Sequence, residues 1–195
     1  AGTHQVKMNK PRIYSYILLG LGLMLVGAGL SIRIFTAEPR GVSSEGEASR
    51  KCVEPAAVSY SAPELELRTL DHLPISIEAY RGRTVLLNAW ATWCPPCLAE
   101  LPDLEAFYQE HRDEDFVLIG VNIGESLNVV ERFIEQNPLS YPILLDPDEQ
   151  TLRALNTIAL PYTIVIDQAG NVRLAWSGAT CLENLETNVT PILRQ

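Results

Sequence analysis

Residues 84–102, TVLLNAWATWCPPCLAELP, constrain the fold of this chain more than any other stretch. The nearly continuous apolar run at 84–91 suits a strand buried on both faces. From 95 to 113 the apolar residues recur at helical spacing, with Pro102 as an expected kink. Cys94 and Cys97 sit where the strand passes into the helix. Such a strand needs neighbours in a sheet and cover on both faces, so the junction alone points to an α/β architecture.

The flanking sequence extends this pattern. ELELRTLDHLPISIEAYRG reads as a hairpin followed by a short helical turn. FVLIGVNIG, 116–124, is a second buried strand, and SLNVVERFIEQN, 126–137, an amphipathic helix with Ser126 as candidate cap. YPILLD, 141–146, and a short helix at 148–155 come next. PYTIVID and VRLAWSG, joined by QAGN, form an antiparallel hairpin. A last helix places Leu182, Leu185, Val189 and Ile192 on one face. Alternation ending in a hairpin gives a mixed sheet with helices on both faces.

The N-terminal part is different in kind. Residues 13–32 carry no charge over twenty positions, enough helix to span about 30 Å of bilayer core. Lys7, Lys10 and Arg12 precede the run without any acidic residue, which predicts a cytoplasmic N-terminus. The expected organisation is a cytoplasmic segment at 1–12, a transmembrane anchor at 13–35, a flexible linker at 36–62 and a folded domain at 63–195. The seven residues ahead of Met8 read as an appended stretch. A cleaved signal peptide is the competing reading, but its apolar core runs only about 7–15 residues.

Charge follows the same division. Residues 1–59 are net +3, whereas 60–195 carry eight Arg and twenty Asp or Glu, net −12. So acidic a domain repels nucleic-acid backbones and suits neutral or basic partners.

Two thiols at this spacing could hold a metal or exchange electrons. Structural zinc needs four ligands, and Cys52, Cys181, His4, His72 and His111 do not pair at ligand spacing. The redox reading explains more. A sulfur at a helix N-terminus meets unpaired N–H groups and the positive end of the dipole, which favour thiolate. Pro95 and Pro96 have no N–H to lose and suit the first helical turn. Cys94 is then the attacking thiol, and Cys97, about one turn on, the resolving thiol. No soluble cofactor is needed. Cys52 and Cys181, the remaining cysteines, are expected to form a structural disulfide, because two exposed free thiols are unusual in an oxidising compartment.

WCPPC, preceded by VLLNAWAT and followed by LAELP, resembles the active site of the thioredoxin superfamily. More narrowly it resembles the membrane-anchored, extracytoplasmic TlpA/ResA-type thiol–disulfide oxidoreductases, over about residues 63–190. That resemblance implies a thioredoxin-like fold with an extra βα insertion and a single-pass protein with its catalytic domain outside the cytoplasm. It implies a disulfide-containing protein substrate, with apocytochrome c one candidate, and a transmembrane electron donor. It gives Glu100 a role in tuning the cysteines, and Trp93, Pro95, Pro96, Leu160 and Pro161 a role in binding substrate. Pro161 is expected in cis on the same ground, since the residues alone predict trans. Asn88 stands where ordinary thioredoxins carry a buried aspartate, and cannot exchange a proton.

Two other functions remain open on the residues. A peroxiredoxin-like peroxidase lacks its Thr-x-x-Cys arrangement, since Ala91 stands three before Cys94. A copper or apocytochrome chaperone would need wider cysteine spacing and a distal histidine, whereas His111 reads as a surface residue.

Overall fold

The computed structural model describes residues 52–194, which lie within one compact unit, Ser49–Gln195. The expected anchor and most of the expected linker lie outside the described residues. No helix among the described residues is long and apolar enough to cross a membrane.

Eight strands form one mixed sheet. In chain order they are β1 Ala56–Ser61, β2 Glu66–Thr69, β3 Pro74–Ser76, β4 Thr84–Trp90, β5 Phe116–Ile123, β6 Ile143–Asp146, β7 Tyr162–Ile166 and β8 Asn171–Ser177. Their spatial order is β1-β8-β7-β4-β5-β6-β2-β3. Only β4/β5 and β5/β6 are parallel. The helices are α1 Pro95–His111, α2 Leu127–Gln136, α3 Gln150–Ala154, α4 Leu182–Asn188 and α5 Thr190–Leu193, with a 3-10 turn at Ile77–Tyr80.

β4 is central and every one of its residues is buried, as its unbroken apolar run requires. Its side chains alternate between two cores. Leu86 and Trp90 pack with Leu101, Leu104 and Phe107 of α1, Val130 of α2 and Leu185 of α4. Val85, Leu87 and Ala89 pack with Ile119, Val121, Ile164 and Ile77, where Leu152 and Leu155 at α3 add cover. Leu104 and Phe107 are fully buried, and each such side chain contributes roughly 1.5–3 kcal/mol of transfer free energy. Gly120 of β5 faces the α1 side, where a Cβ would come within 2.8 Å of Ile143 and 3.2 Å of the Trp90 indole nitrogen.

Three expectations need correction. The linker ends earlier than residue 62, because Ala56–Ser61 pairs antiparallel with β8 as an edge strand. Its small, mostly exposed residues carry little hydrophobic signal, and backbone pairing does the work instead. The last helix is divided, with α4 ending at Asn188 and Pro191 in the first turn of α5. Pro191 has no N–H to continue the hydrogen-bond ladder. Ser126 is the residue before α2, but its side chain makes no capping bond.

Candidate active site

β4 delivers the chain to the end of the sheet, and α1 starts at Pro95 with Cys94 as its extended N-cap residue, φ −98° and ψ 99°. Cys94 Sγ accepts a hydrogen bond from the Cys97 N–H at 3.3 Å, so one of the helix's unpaired donors is aimed at sulfur. Pro95 and Pro96 fill the first positions of the helix. Cys94 and Cys97 are joined by a disulfide, which makes this the oxidised form. After reduction the Cys94 sulfur would sit where the donor and the dipole stabilise its anion. Around it the surface is open. Trp93 is 67% exposed, which excludes a simple packing role, and Pro95 and Pro96 are exposed as well.

Glu100 follows Cys97 by one turn and is 1% exposed. Its carboxylate accepts from Asn88 Nδ2 at 2.7 Å and from the Thr180 N–H at 2.8 Å. Burial pushes its pKa up to about 7 against the two hydrogen bonds, and the nearby Asp103 charge adds a smaller upward push. Asn88 Nδ2 also reaches Thr163 Oγ1 at 3.0 Å, whereas Asn88 Oδ1 has no partner among the described residues. An amide can offer either a donor or an acceptor by turning over, so Asn88 can serve Glu100 in both protonation states. Tyr141 packs on the same side, its pKa raised first by burial and then by the charges of Glu105 and Glu100.

The loop before β7 lies beside this junction. Tyr162 pairs with Ala89, so Pro161 stands next to the chain leading into Cys94. The Leu160–Pro161 bond is cis, and the Pro161 carbonyl accepts from the Gly178 N–H at 2.9 Å. Pro161 is buried and Leu160 half-buried, while Ile158, three residues earlier, is 97% exposed.

Glu125 belongs to the site although no sequence motif marks it. Its carboxylate accepts from the Thr92 N–H at 2.7 Å, Thr92 Oγ1 at 2.6 Å and Asn122 Nδ2 at 2.7 Å. It therefore ties the loop that carries Trp93 and Cys94 to the end of β5. The available signal was positional: polar residues at the carboxyl ends of parallel strands gather at sites in α/β sheets. His111 needs a correction. It is buried, packed 4.4 Å from the Phe107 ring, with Nδ1 2.9 Å from Glu114 and Nε2 3.2 Å from Glu186. The aromatic residues at the end of α1 and the start of β5 draw it inward. Cys52 and Cys181 are joined by a disulfide with a Cα–Cα distance of 5.7 Å.

Comparison with known proteins agrees with this geometry. The sequence model of the AhpC/TSA family matches residues 58–175. The thiol-disulfide oxidoreductase ResA of Geobacillus kaustophilus is 35% identical over 136 residues, covering 70% of this chain and 78% of that protein. The crystal structure of StoA from Bacillus subtilis is 30% identical, with a TM-score of 0.56 over 68% of this chain and 98% of that one. A thioredoxin-family thiol:disulfide interchange protein from Chlorobium tepidum is 27% identical, with a TM-score of 0.62 over 71% and 99%. The chain belongs to the AhpC/TSA family, with a thioredoxin-like fold, as a thiol–disulfide oxidoreductase of the ResA type.

Proposed function

We propose, with membership of the ResA-type thiol–disulfide oxidoreductases as the premise, that this protein reduces disulfides in protein substrates outside the cytoplasm while anchored through residues 13–35. The observation that carries the reading is Cys94 Sγ at the helix N-terminus, accepting the Cys97 N–H, with Glu100 buried one helical turn beyond Cys97. In the reduced protein the Cys94 thiolate attacks one sulfur of the substrate disulfide. A Cys94–substrate bond forms and the other substrate sulfur leaves as thiolate. Cys97 gives up its proton and attacks Cys94, so the second substrate sulfur leaves and the Cys94–Cys97 disulfide closes. Two electrons pass to the substrate.

Glu100 takes and returns the Cys97 proton: it lies one helical turn beyond Cys97 on the same helix, and a pKa raised by burial to about 7 lets it change charge in the working range. Asn88 keeps it hydrogen-bonded in either state. Trp93, Pro95 and Pro96 offer an exposed apolar rim, and Leu160 and Pro161 the backbone against which an extended substrate segment lies. Each turnover leaves an oxidised protein in an oxidising compartment, so a transmembrane dithiol donor must supply two electrons per cycle. Apocytochrome c is one substrate of the right chemistry, being a secreted chain with a pair of cysteines to keep reduced. The charge-free run at 13–32 with basic residues before it supports the anchor and its orientation.

The reading is tested by the equilibrium potential of the Cys94–Cys97 pair in the whole chain against glutathione buffers. A value near or below about −250 mV supports a reductant, and one near about −120 mV would make it an oxidant.

A further inference from the structure

The second disulfide lies closer to the chemistry than its place in the sequence suggests. Cys52 and Cys181 are 129 residues apart, and their bond fastens the first described residues to the segment between β8 and α4. That segment, Gly178–Cys181, touches two parts of the site. The Gly178 N–H donates to the Pro161 carbonyl at 2.9 Å, and the Thr180 N–H donates to Glu100 Oε2 at 2.8 Å. Three more contacts hold this segment and α4 against the N-terminal arm. The Val53 N–H donates to the Ala179 carbonyl at 2.9 Å. Asn184 Nδ2 donates to the Val53 carbonyl at 3.1 Å. The Val53 side chain lies over Gly178, whose φ is +112°, so closely that a Cβ there would come within 2.8 Å of Val53 Cγ2. Thr180 is 2% exposed, so its N–H and the Glu100 carboxylate meet out of contact with solvent.

We infer that the Cys52–Cys181 disulfide is a positioning device for the catalytic centre, holding the Thr180 N–H on Glu100 and the Gly178 N–H on the Pro161 carbonyl. The inference rests on the proposed role of Glu100 and adds to it. A cross-link between two surface segments would by itself only restrict the unfolded chain. This one ends one residue from a backbone donor to a buried carboxylate. Among the described residues, the groups that bond to Glu100 or act on its charge are Asn88 from β4, Thr180 from the segment, Tyr141 from the stretch before β6, and Asp103 from its own helix. None is cationic. With the Thr180 N–H displaced, Asn88 is left as the one of these groups that donates a hydrogen bond to it in this structure, and the charged form of Glu100 loses support.

The experiment compares the pH profile of Cys94 alkylation by iodoacetamide in two whole-chain proteins. The first is wild type with only Cys94–Cys97 reduced, the other disulfide verified intact by mass. The second is Cys52→Ser/Cys181→Ser, reduced in the same way. The inflection due to Glu100 is expected to move up by about one pH unit in the second protein. In a Glu100→Gln background the same pair of serines is expected to leave the profile unmoved. Superimposable profiles with and without the cross-link would overturn the inference, as would an equal shift in the Glu100→Gln background. If the double variant does not fold, wild type with both disulfides reduced must shift the inflection in the same direction relative to wild type with only Cys94–Cys97 reduced, or the inference fails. Failure of the underlying reading looks different: Cys94 of wild type would then alkylate like an ordinary thiol.

Discussion

Asn88 and Glu100 are joined by a 2.7 Å hydrogen bond inside the core, and each residue is 1% exposed. The pair links β4 to the helix that carries both active cysteines. It also makes the stability of the oxidised protein depend on pH in an unusual direction.

The pKa of Glu100 is about 7 in the folded chain against an ordinary 4.5. The folded state therefore binds the proton more tightly than the unfolded state. Its contribution is fully present below about pH 4.5 and is lost as the pH rises through 7, on the order of 3 kcal/mol in all. Glu100→Gln lacks this loss. Urea unfolding of both oxidised proteins across that window should show the variant gaining on wild type by about that amount. Parallel curves would contradict the assignment.

Glu125 is predicted to hold the active-site loop in place. Glu125→Ala removes the acceptor of three hydrogen bonds, from the Thr92 N–H, the Thr92 hydroxyl and Asn122. A loss of about 2 kcal/mol in unfolding free energy is expected, since two of the donors are backbone or buried amide groups. The rate of disulfide exchange should fall about tenfold, because Cys94 follows Thr92 by two residues and a small displacement misaligns the sulfur. Thr92→Val should show part of both effects, and the double variant less than their sum. Full additivity would mean that the two residues act separately.

Trp93 is predicted to support substrate contact rather than the fold. It is 67% exposed, so Trp93→Ala should change unfolding free energy by no more than about 0.5 kcal/mol. KM for a protein disulfide should rise about tenfold, as expected for loss of an aromatic anchor, while reduction of a small disulfide such as oxidised glutathione should hardly change. Equal losses with both substrates would assign the ring to the chemistry instead.

Much of this arrangement is legible in the residues because local rules agree with the fold. The run at 84–91 reads as a central strand since both of its faces are buried. The two prolines after Cys94 mark a helix start that the structure places there. What fails to show depends on long-range pairing. Ala56–Ser61 has weak alternation, and becomes a strand only because β8 offers an edge to pair with. The burial of His111 comes from Phe107 and Phe116 closing around the end of α1. Glu125 and Thr180 meet the site across 33 and 80 residues of chain, a distance no local pattern spans. The spacing of Glu100 puts it on the same helical face as Cys97, yet its burial depends on Asn88 and Thr180, which reach it from β4 and from the segment before α4.

The central claim, that Cys94 captures the substrate and Cys97 releases it, is tested most directly by trapping. Reduced Cys97→Ala and Cys94→Ala proteins are mixed with a disulfide-bonded protein substrate, quenched with acid and resolved without reductant. Cys97→Ala should accumulate a covalent complex through Cys94 that a dithiol dissolves, and Cys94→Ala should give none. A complex formed equally well through Cys97, or none with either variant, would contradict the account.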